Sequence, residues 1–166
     1  MAIIHLKVDV SKAVGKLEQV QARLSNLIPA LTAIKEVALD SIRQTFAAGG
    51  RPTPWAPLKS RQGIPLNGRG ILRGSITGEV RSTSVILGTN VVYAAIHQFG
   101  GTVQIPALQP KRPGGTLRWY DQGGNPVFRK RTSAHSVTIP QRSYLLVQDG
   151  DIETFKAILL AHITGA

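Results

Sequence analysis

The first residues of the chain alternate between apolar and polar side chains. Within Ile3–Val10, every second residue from Ile4 onward is apolar, and the residues between them are polar. This is the pattern of a half-buried strand, because successive side chains of a strand point to opposite faces. Ser11 follows at the position where a helix N-cap belongs. We therefore predict a strand over Ile3–Val10 and a helix that begins after Ser11.

A long helical periodicity follows the predicted strand. Between Lys12 and Ala48, apolar residues recur every three or four positions, which is the spacing of one helix face. Pro29 interrupts this series, and a proline inside a helix removes a backbone hydrogen bond. We therefore predict two helices, Lys12–Leu27 and Pro29–Ala47, with Gly49-Gly50 ending the second one.

Short apolar runs between turn residues indicate β-hairpins in the second half of the chain. The segment Ile71–Gly88 holds two such runs on either side of Ser82-Thr83-Ser84. Thr116–Tyr120 and Val127–Arg129 flank a second turn signal, Gly123-Gly124-Asn125-Pro126. Each pair of runs predicts one antiparallel hairpin.

Four further segments complete the pattern. Val91–Phe99 fits a strand or a short helix, since periodicity does not separate the two over so few residues. Val137–Ile139 and Tyr144–Val147 predict short strands. Asp151 is the predicted N-cap of a last helix. The apolar stripe of that helix consists of Ile152, Phe155, Ile158 and Leu159.

The predicted helices and strands come in blocks rather than alternating along the chain. That order predicts an α+β fold, in which antiparallel hairpins pack with two N-terminal helices and one C-terminal helix. A chain of 166 residues is long enough to bury its own core. We therefore predict a single domain over residues 1–166.

The charge balance is strongly basic and adds a candidate partner. The chain carries 20 lysines and arginines against 9 acidic residues, a formal net charge of +11. Such an excess attracts polyanions, of which nucleic acid is the usual one. The chain has no cysteine, which excludes disulfides and thiol chemistry. It has no long uncharged apolar run either, so we expect no membrane partner.

Two segments concentrate the basic residues. Residues 51–69, the basic arm, are rich in proline and glycine, and residues 109–135, the basic hairpin, surround the second predicted hairpin. The candidate interface or DNA-facing residues are Arg51, Lys59, Arg61, Arg69, Lys111, Arg112, Arg118, Trp119, Arg129, Lys130 and Arg131. Contact with DNA phosphates, docking to neighbouring subunits and simple solvation all remain open.

Residues suited to catalysis are sparse. A metal-dependent nuclease needs converging carboxylates, but only Asp149 and Asp151 lie close together in the sequence. The chain lacks a nucleophile elbow and a phosphate-binding loop. His97 fits a general base or, more simply, a histidine that satisfies backbone groups at a turn. We therefore predict no catalytic residue, no metal and no cofactor, and we expect that the protein is not an enzyme.

Both tryptophans lie in Pro/Gly-rich basic segments and allow two interpretations. Trp55 lies in the basic arm, and Trp119 lies in the basic hairpin. An exposed indole in such a segment stacks on bases or anchors an interface. A buried indole packs its loop onto the core. The sequence slightly favours an interface for both residues.

Four motifs follow one another in a fixed order: Trp55-Ala56-Pro57-Leu58; Ile71-Leu72-Arg73-Gly74-Ser75-Ile76; Gly88-Thr89 followed by Tyr93-Ala94 and Ile96-His97-Gln98-Phe99-Gly100; and Ile139-Pro140 followed by Arg142 and Tyr144-Leu145. Together they resemble the phage virion morphogenesis family, the tail-completion proteins of Mu-type and P2-type phages. The order and spacing of these motifs carry the resemblance from about Trp55 to Leu145. At three positions near the end, the chain has Gln141, Ser143 and Tyr144 where the family usually has alanine, proline and phenylalanine.

The resemblance implies a structural, non-enzymatic role at a phage head–tail junction. The subunit would form a ring around the DNA passage, with six copies by analogy, and would contact the tail tube and the connector or neck proteins. The protein would be made in the bacterial cytoplasm and incorporated into the virion. The basic arm and basic hairpin would reach a neighbouring subunit or DNA and become ordered on assembly. The alternative is a sequence-independent DNA-binding protein that acts as a monomer or dimer.

Roles for individual motif residues are implied by the same resemblance. Phe99 and Tyr144 should pack into the core that joins the two most specific motifs. Arg142 should bond backbone carbonyls or a nearby carboxylate, or face a neighbouring subunit. His97 and Gln98 should fix the turn before Gly100-Gly101.

Overall fold

A computed structural model of the chain describes residues 9–58, 62–121 and 123–165. The predicted N-terminal strand lies outside the described residues except for Asp9 and Val10, which belong to no strand. The described residues combine helices with paired strands, and this confirms the α+β class. The elements are α1 Ser11–Ser25, α2 Ile28–Ala48, α3 Ile71–Gly74, β1 Thr77–Val80, β2 Val85–Gly88, α4 Ala94–Phe99, β3 Gly101–Ile105, β4 Leu117–Tyr120, β5 Pro126–Arg129, β6 His135–Ile139 and α5 Asp149–Thr164.

Contacts along the chain divide it into two compact units. Unit 1 consists of Met1–Asp40, Gly78–Leu87 and Val147–Ala166, and unit 2 consists of Ser41–Thr77 and Gly88–Leu146. The single domain over residues 1–166 therefore stays a prediction.

The predicted break between the first two helices is confirmed. Helix α1 ends at Ser25 and α2 begins at Ile28, whose backbone N–H donates to Asn26 Oδ1 at 3.3 Å. Pro29 therefore lies in the first turn of α2. Its missing N–H costs nothing there, because the first turn of a helix has no internal carbonyl partner.

The predicted N-caps of α1 and α5 are wrong by one residue and by three residues, since the cap residues are Val10 and Gln148. Ser11 is the first residue of α1, and its backbone N–H donates to the Asp9 carboxylate at 3.0 Å. Asp151 lies inside the first turn of α5, and its carboxylate accepts the N–H of the true cap residue, Gln148, at 2.8 Å. A carboxylate is favourable at a cap and within the first turn, so residue type alone does not fix the position.

In unit 1, the C-terminal ends of α1 and α5 bind each other through backbone carbonyls. The Arg23 guanidinium donates to the Ile163 carbonyl at 3.2 Å. His162 Nε2 lies 3.1 Å from the Arg23 carbonyl and 2.9 Å from the Asn26 carbonyl. The buried apolar residues of this unit lie on the first half of α2 and are Ala30, Leu31, Ile34 and Ala38.

In unit 2, three aromatic rings form the centre of the core. Phe46, on the last turns of α2, has its ring centroid 5.5 Å from that of Trp55 and 5.4 Å from that of Tyr144. Phe46 is fully buried, and Tyr144 is 1% exposed. The C-terminal end of α2 and the segment around Tyr144 therefore share one core, although they are far apart in the sequence.

Both predicted hairpins are confirmed, as β1–β2 and β4–β5. A third antiparallel pair joins β3 to β6, with Gly101 opposite Ile139 and Ile105 opposite His135. The sequence predicted part of β6, Val137–Ile139, but it did not predict β3. Val91–Phe99, left open from the sequence, contains helix α4. Among the described residues, no helix is long and apolar enough to cross a membrane.

Two strand predictions are wrong. Tyr144–Val147 is irregular, because the side chain of Gln98 rather than a neighbouring strand bonds the backbone of Tyr144 and Leu145. Ile71–Gly74, which was predicted to begin the strand region of the first hairpin, forms one helical turn instead. That turn begins at Gly70, whose φ of 71° is favourable for glycine.

Candidate functional site

The two most specific motifs meet in unit 2 and form the signature junction, which comprises Tyr93–Gly100 and Ile139–Leu145. The Arg142 backbone N–H donates to the His97 carbonyl at 2.7 Å. The Gln98 side-chain carbonyl accepts the N–H groups of Tyr144 and Leu145, each at 3.0 Å, and its amide donates to the Leu145 carbonyl at 3.2 Å. One glutamine side chain thus replaces the strand that would otherwise pair with this backbone.

Gly100 allows the two segments to approach each other. Its φ of 72° and ψ of 178° lie in a region that only glycine adopts readily. A Cβ at this position would lie 2.9 Å from the backbone nitrogen of Gln141, closer than real Cβ atoms come. The glycine is therefore required both by the backbone conformation and by the close contact. The strand pair beyond it ends at Ile139, and half-buried Pro140 connects that strand to the junction.

Arg142 joins the signature junction to the basic arm. Its side chain is 6% exposed, and the guanidinium donates to the Ala56 carbonyl at 3.2 and 3.0 Å and to the Pro57 carbonyl at 3.5 Å. Of the three partners predicted for this arginine, the structure shows backbone carbonyls. Burial holds the pKa of the Arg142 guanidinium below its ordinary value.

Aromatic residues at and beside the junction differ in burial. Tyr144 packs in the core and donates its hydroxyl to the Ala94 carbonyl at 3.1 Å, as predicted. Trp55 is buried and donates its indole N–H to the Ser143 carbonyl at 3.0 Å, which favours packing over an interface. Phe99 is 73% exposed, so its predicted place in the core is wrong. Gln98 faces the junction, and the next helical position points about 100° away.

A cavity of about 600 Å³ opens beside the junction, within unit 2. Tyr93, His97, Arg69 and Arg142 form its polar part, and the rest of the wall is mainly apolar. His97 stacks edge-on to Tyr93 at 5.8 Å, and its Nδ1 is buried with no hydrogen-bond partner among the described atoms. Burial, and then the charge of Arg142, lower the pKa of His97. A neutral histidine beside two arginines can accept a hydrogen bond, but the described residues that line the cavity include no serine, cysteine, aspartate or glutamate to complete a triad with it.

The described residues contain no cluster of histidine and acidic side chains that could hold a metal ion. Most of the signature residues serve to hold the chain together, with buried side chains or bonds to backbone groups. The exposed basic residues and the exposed apolar residues, Phe99 of the signature included, are the parts of the protein that can contact a partner.

The basic arm does not present all of its cations to solvent. The guanidinium of Arg51 folds back onto α2 and donates to the Ser41 carbonyl at 2.6 Å and to the Thr45 hydroxyl at 3.2 Å. Arg69 is exposed at the cavity wall. Lys59 and Arg61 lie outside the described residues. Arg51 thus has an internal structural role that the sequence did not predict.

The basic hairpin presents its cations to solvent. Its marked residues are all exposed: Lys111, Arg112, Arg118, Trp119, Arg129, Lys130 and Arg131. The Arg118 guanidinium lies 5.4 Å from the centre of the Tyr120 ring and 5.7 Å from that of the Phe128 ring. Sequence analysis missed Tyr120 and Phe128 as surface residues; in the observed register Phe128 lies opposite Arg118.

A second exposed surface lies on α1, in unit 1. Its apolar positions follow helical spacing and share one face, so together they form the α1 stripe. No residue of α1 is buried, and Leu17 is 68% exposed. The sequence pattern predicted the helix but does not indicate whether the stripe faces its own core or a partner. The α1 stripe consists of Val10, Val14, Leu17 and Leu24.

Comparison with known proteins agrees with the resemblance. The chain matches the phage virion morphogenesis family over residues 8–164. It is similar to Mu-like prophage FluMu G protein 2 of Haemophilus influenzae, with 42% identity over 93 residues. That alignment covers 56% of this chain and 64% of the relative, so the chain spans just under two thirds of the relative's length. No solved structure matches. The chain belongs to the phage virion morphogenesis family, and its role is in building a phage particle.

Proposed function

We propose that this protein is a tail-completion subunit that forms a ring at the head–tail junction of a tailed phage or prophage. It would join the tail tube to the connector or neck proteins and surround the DNA passage. Its family and its similarity to a Mu-like prophage protein support the phage setting. In this account the protein acts by binding other subunits, and no turnover is required.

The exposed α1 stripe carries the proposal of self-association. Val14, Leu17 and Leu24 are 46%, 68% and 49% exposed, yet they lie on one face of a regular helix. Burying one large apolar side chain is worth about 1.5–3 kcal/mol, so a whole row left in water favours association. A second copy of the chain is the partner that a ring always supplies.

The charge of the chain supports a ring with DNA at its axis. Each copy carries a formal net charge of +11, so a closed ring of free subunits would repel itself. A polyanion passing through the ring would neutralise that charge. The contact between neighbours would be heterologous, with two different surfaces meeting, and the subunit rotation would have to close the ring. Six copies remain the proposed number, by analogy with the sixfold tail tubes of this phage class.

Substitution of Leu17 tests self-association. Leu17→Glu places a charge in the middle of the α1 stripe, and it should fold normally because the residue is largely exposed. We expect wild-type protein to form a ring-sized species, alone or with purified tail tubes, and Leu17→Glu to remain monomeric under the same conditions. Light scattering across protein concentration and salt measures the mass.

Gln19→Glu is the matched control, because it adds the same charge to α1 on the face opposite the stripe. It should assemble like the wild type. Equal assembly by Leu17→Glu and wild type would contradict a role for the α1 stripe, and a monomeric wild type in the presence of tail tubes would contradict the ring.

The second candidate is a DNA-binding protein without sequence preference that acts as a monomer or dimer. The exposed cations of the basic hairpin favour it. The two candidates differ in whether the protein assembles into a ring. The DNA-binding alternative would be favoured if DNA affinity fell steeply with salt and the protein formed no ring with tail tubes.

A further inference from the structure

The basic hairpin stands apart from the other described elements. Strands β4 and β5 pair only with each other, and neither packs extensively against another described element. The segment is closed at its base, where the Thr132 N–H donates to the Leu108 carbonyl at 3.0 Å. A two-stranded hairpin without a supporting layer is marginally stable in water, so a partner that covers it would stabilise it.

The charge of the basic hairpin is not neutralised within the chain. Six cations are exposed there, and none of them forms an ion pair among the described residues. The acidic residue of the segment is Asp121, and its carboxylate accepts the N–H groups of Gly123 and Asn125 at 2.9 and 2.8 Å. The acid thus fixes the turn, and the cations are left to an external anion. These cations are Lys111, Arg112, Arg118, Arg129, Lys130 and Arg131.

Aromatic rings lie exposed among these cations. Tyr120 and Phe128 are 60% and 53% exposed, and both lie beside the Arg118 guanidinium on one face of the hairpin. Trp119 lies on the other face and is 40% exposed. Cations combined with exposed rings are the usual surface for a nucleic-acid backbone and its sugars or bases.

A second copy of this chain fits the basic hairpin poorly. The chain has only 9 acidic residues, and at least six of them already bond their own neighbours. Asp9, Asp121 and Asp151 accept backbone N–H groups. Glu36, Glu79 and Glu153 pair with Lys35, Arg81 and Lys156. A neighbouring copy would therefore bring net positive charge to a positive surface, whereas DNA brings one negative charge about every 1.7 Å.

We propose that the basic hairpin is a DNA-binding element that contacts the phosphate backbone through its cations, without reading sequence, and that its exposed rings pack against sugars or bases. The inference rests on the proposed function for its setting, a DNA passage, and it names the element that meets the DNA there. The signature junction and the α1 stripe have no part in it.

DNA titrations by fluorescence anisotropy test the inference directly. The full chain is titrated against a random-sequence duplex and a single strand of the same length, at several salt concentrations. With about six phosphate contacts, affinity should fall about 10³-fold between about 50 and 200 mM salt. The triple variant Arg129→Ala, Lys130→Ala, Arg131→Ala should fall only about 40-fold over that range, because about three contacts remain.

The matched control removes three cations elsewhere. Lys12→Ala, Lys16→Ala and Arg43→Ala lower the net charge equally and are exposed, and the two lysines lie away from the α1 stripe. This control should keep the wild-type salt dependence. Thermal unfolding verifies that each variant is folded. The same salt dependence in both triple variants, or no DNA binding by the wild type, would overturn the inference.

The double variant Tyr120→Ser, Phe128→Ser identifies the form of DNA. A loss of about tenfold on the single strand alone would assign the rings to base stacking. An equal loss on both DNAs would assign them to the sugar backbone of a duplex, and no loss on either would overturn their part in the inference.

Self-association of the same variants separates this inference from the proposed function. Loss of DNA binding by the hairpin triple variant with normal ring formation would support the inference and leave the ring standing. Loss of ring formation in that variant would mean that the hairpin docks another copy, and it would overturn the assignment to DNA. Failure of Leu17→Glu to prevent the ring would affect only the proposed function.

Discussion

At the scale of single residues, Gly100 and Gln98 determine how the two most specific motifs meet. Gly100 lets the backbone pass within a few ångströms of Gln141, and Gln98 then bonds the chain on the far side of that crossing. The side chains that do this are small or uncharged, and they bond backbone groups. Their position in the motif therefore reflects folding rather than partner contact.

Gly100→Ala should lower the free energy of unfolding by about 1–3 kcal/mol from backbone strain, and by more if the contact with Gln141 does not relax. Gly70→Ala is the control for a positive φ alone, because Gly70 has φ 71° and ψ 4°, in the left-handed helical region, where alanine is less strained than at the φ of 72° and ψ of 178° of Gly100. A Cβ at Gly70 would meet only the end of the Arg73 side chain, at 3.8 Å. Urea unfolding measures the free energy of unfolding of the two variants. Equal losses in the two variants would contradict the close contact at Gly100.

The residue scale also shows where sequence reasoning reaches its limit. The motif correctly placed Tyr144 in the core but also placed Phe99 there, and Phe99 is exposed. Both are aromatic residues in specific motifs, so residue type could not separate them. The direction of the Phe99 side chain depends on α4, and periodicity did not show that this segment is a helix.

At the scale of elements, arginines of the two basic segments have different surroundings: Arg51 is held by the end of α2, whereas the cations of the basic hairpin are exposed. Arg51 comes shortly after the end of α2, so its guanidinium reaches back to that helix and bonds Ser41 and Thr45, which are buried. The cations of the basic hairpin lie on its strands and in the loops beside them, and they are exposed. The sequence analysis placed Arg51 and the cations of the basic hairpin in one set of candidate interface residues, because the number of charges in a segment does not show which side chains fold back onto a helix.

Arg51→Ala should lower the free energy of unfolding by about 1.5–3 kcal/mol, since it removes charge-assisted hydrogen bonds to the last turns of α2. Arg43→Ala, at an exposed position on the same helix, should change it by no more than about 0.5 kcal/mol. Thermal or urea unfolding of the two variants makes the comparison. A loss no larger for Arg51 than for Arg43 would show that Arg51 is a surface cation.

Elements with local signals were the ones that the sequence predicted well. The break at Pro29 and the turn at Gly123-Gly124-Asn125-Pro126 depend on neighbouring residues, and the structure confirms both. Strand β3 and the irregular Tyr144–Val147 segment depend on partners that are distant in the chain. Such pairings leave little trace in local periodicity, which is why they were missed or misassigned.

At the scale of the whole molecule, two of the exposed surfaces differ in character and have a proposed partner each. One is apolar, the α1 stripe, and the other is cationic and aromatic, the basic hairpin. Apolar surface favours protein partners, and cationic surface favours a polyanion. A ring subunit around a DNA passage needs both, so the account gives each surface a separate partner.

The location and copy number of the protein in purified phage particles test the central claim most directly. Particles from the phage or prophage that encodes the chain are labelled with an antibody against it for electron microscopy. Quantitative mass spectrometry then compares its abundance with that of the tail-tube protein. We predict label at the head–tail junction and one ring of copies per particle, close to six. Label along the whole tail, or absence of the protein from complete particles, would contradict the account.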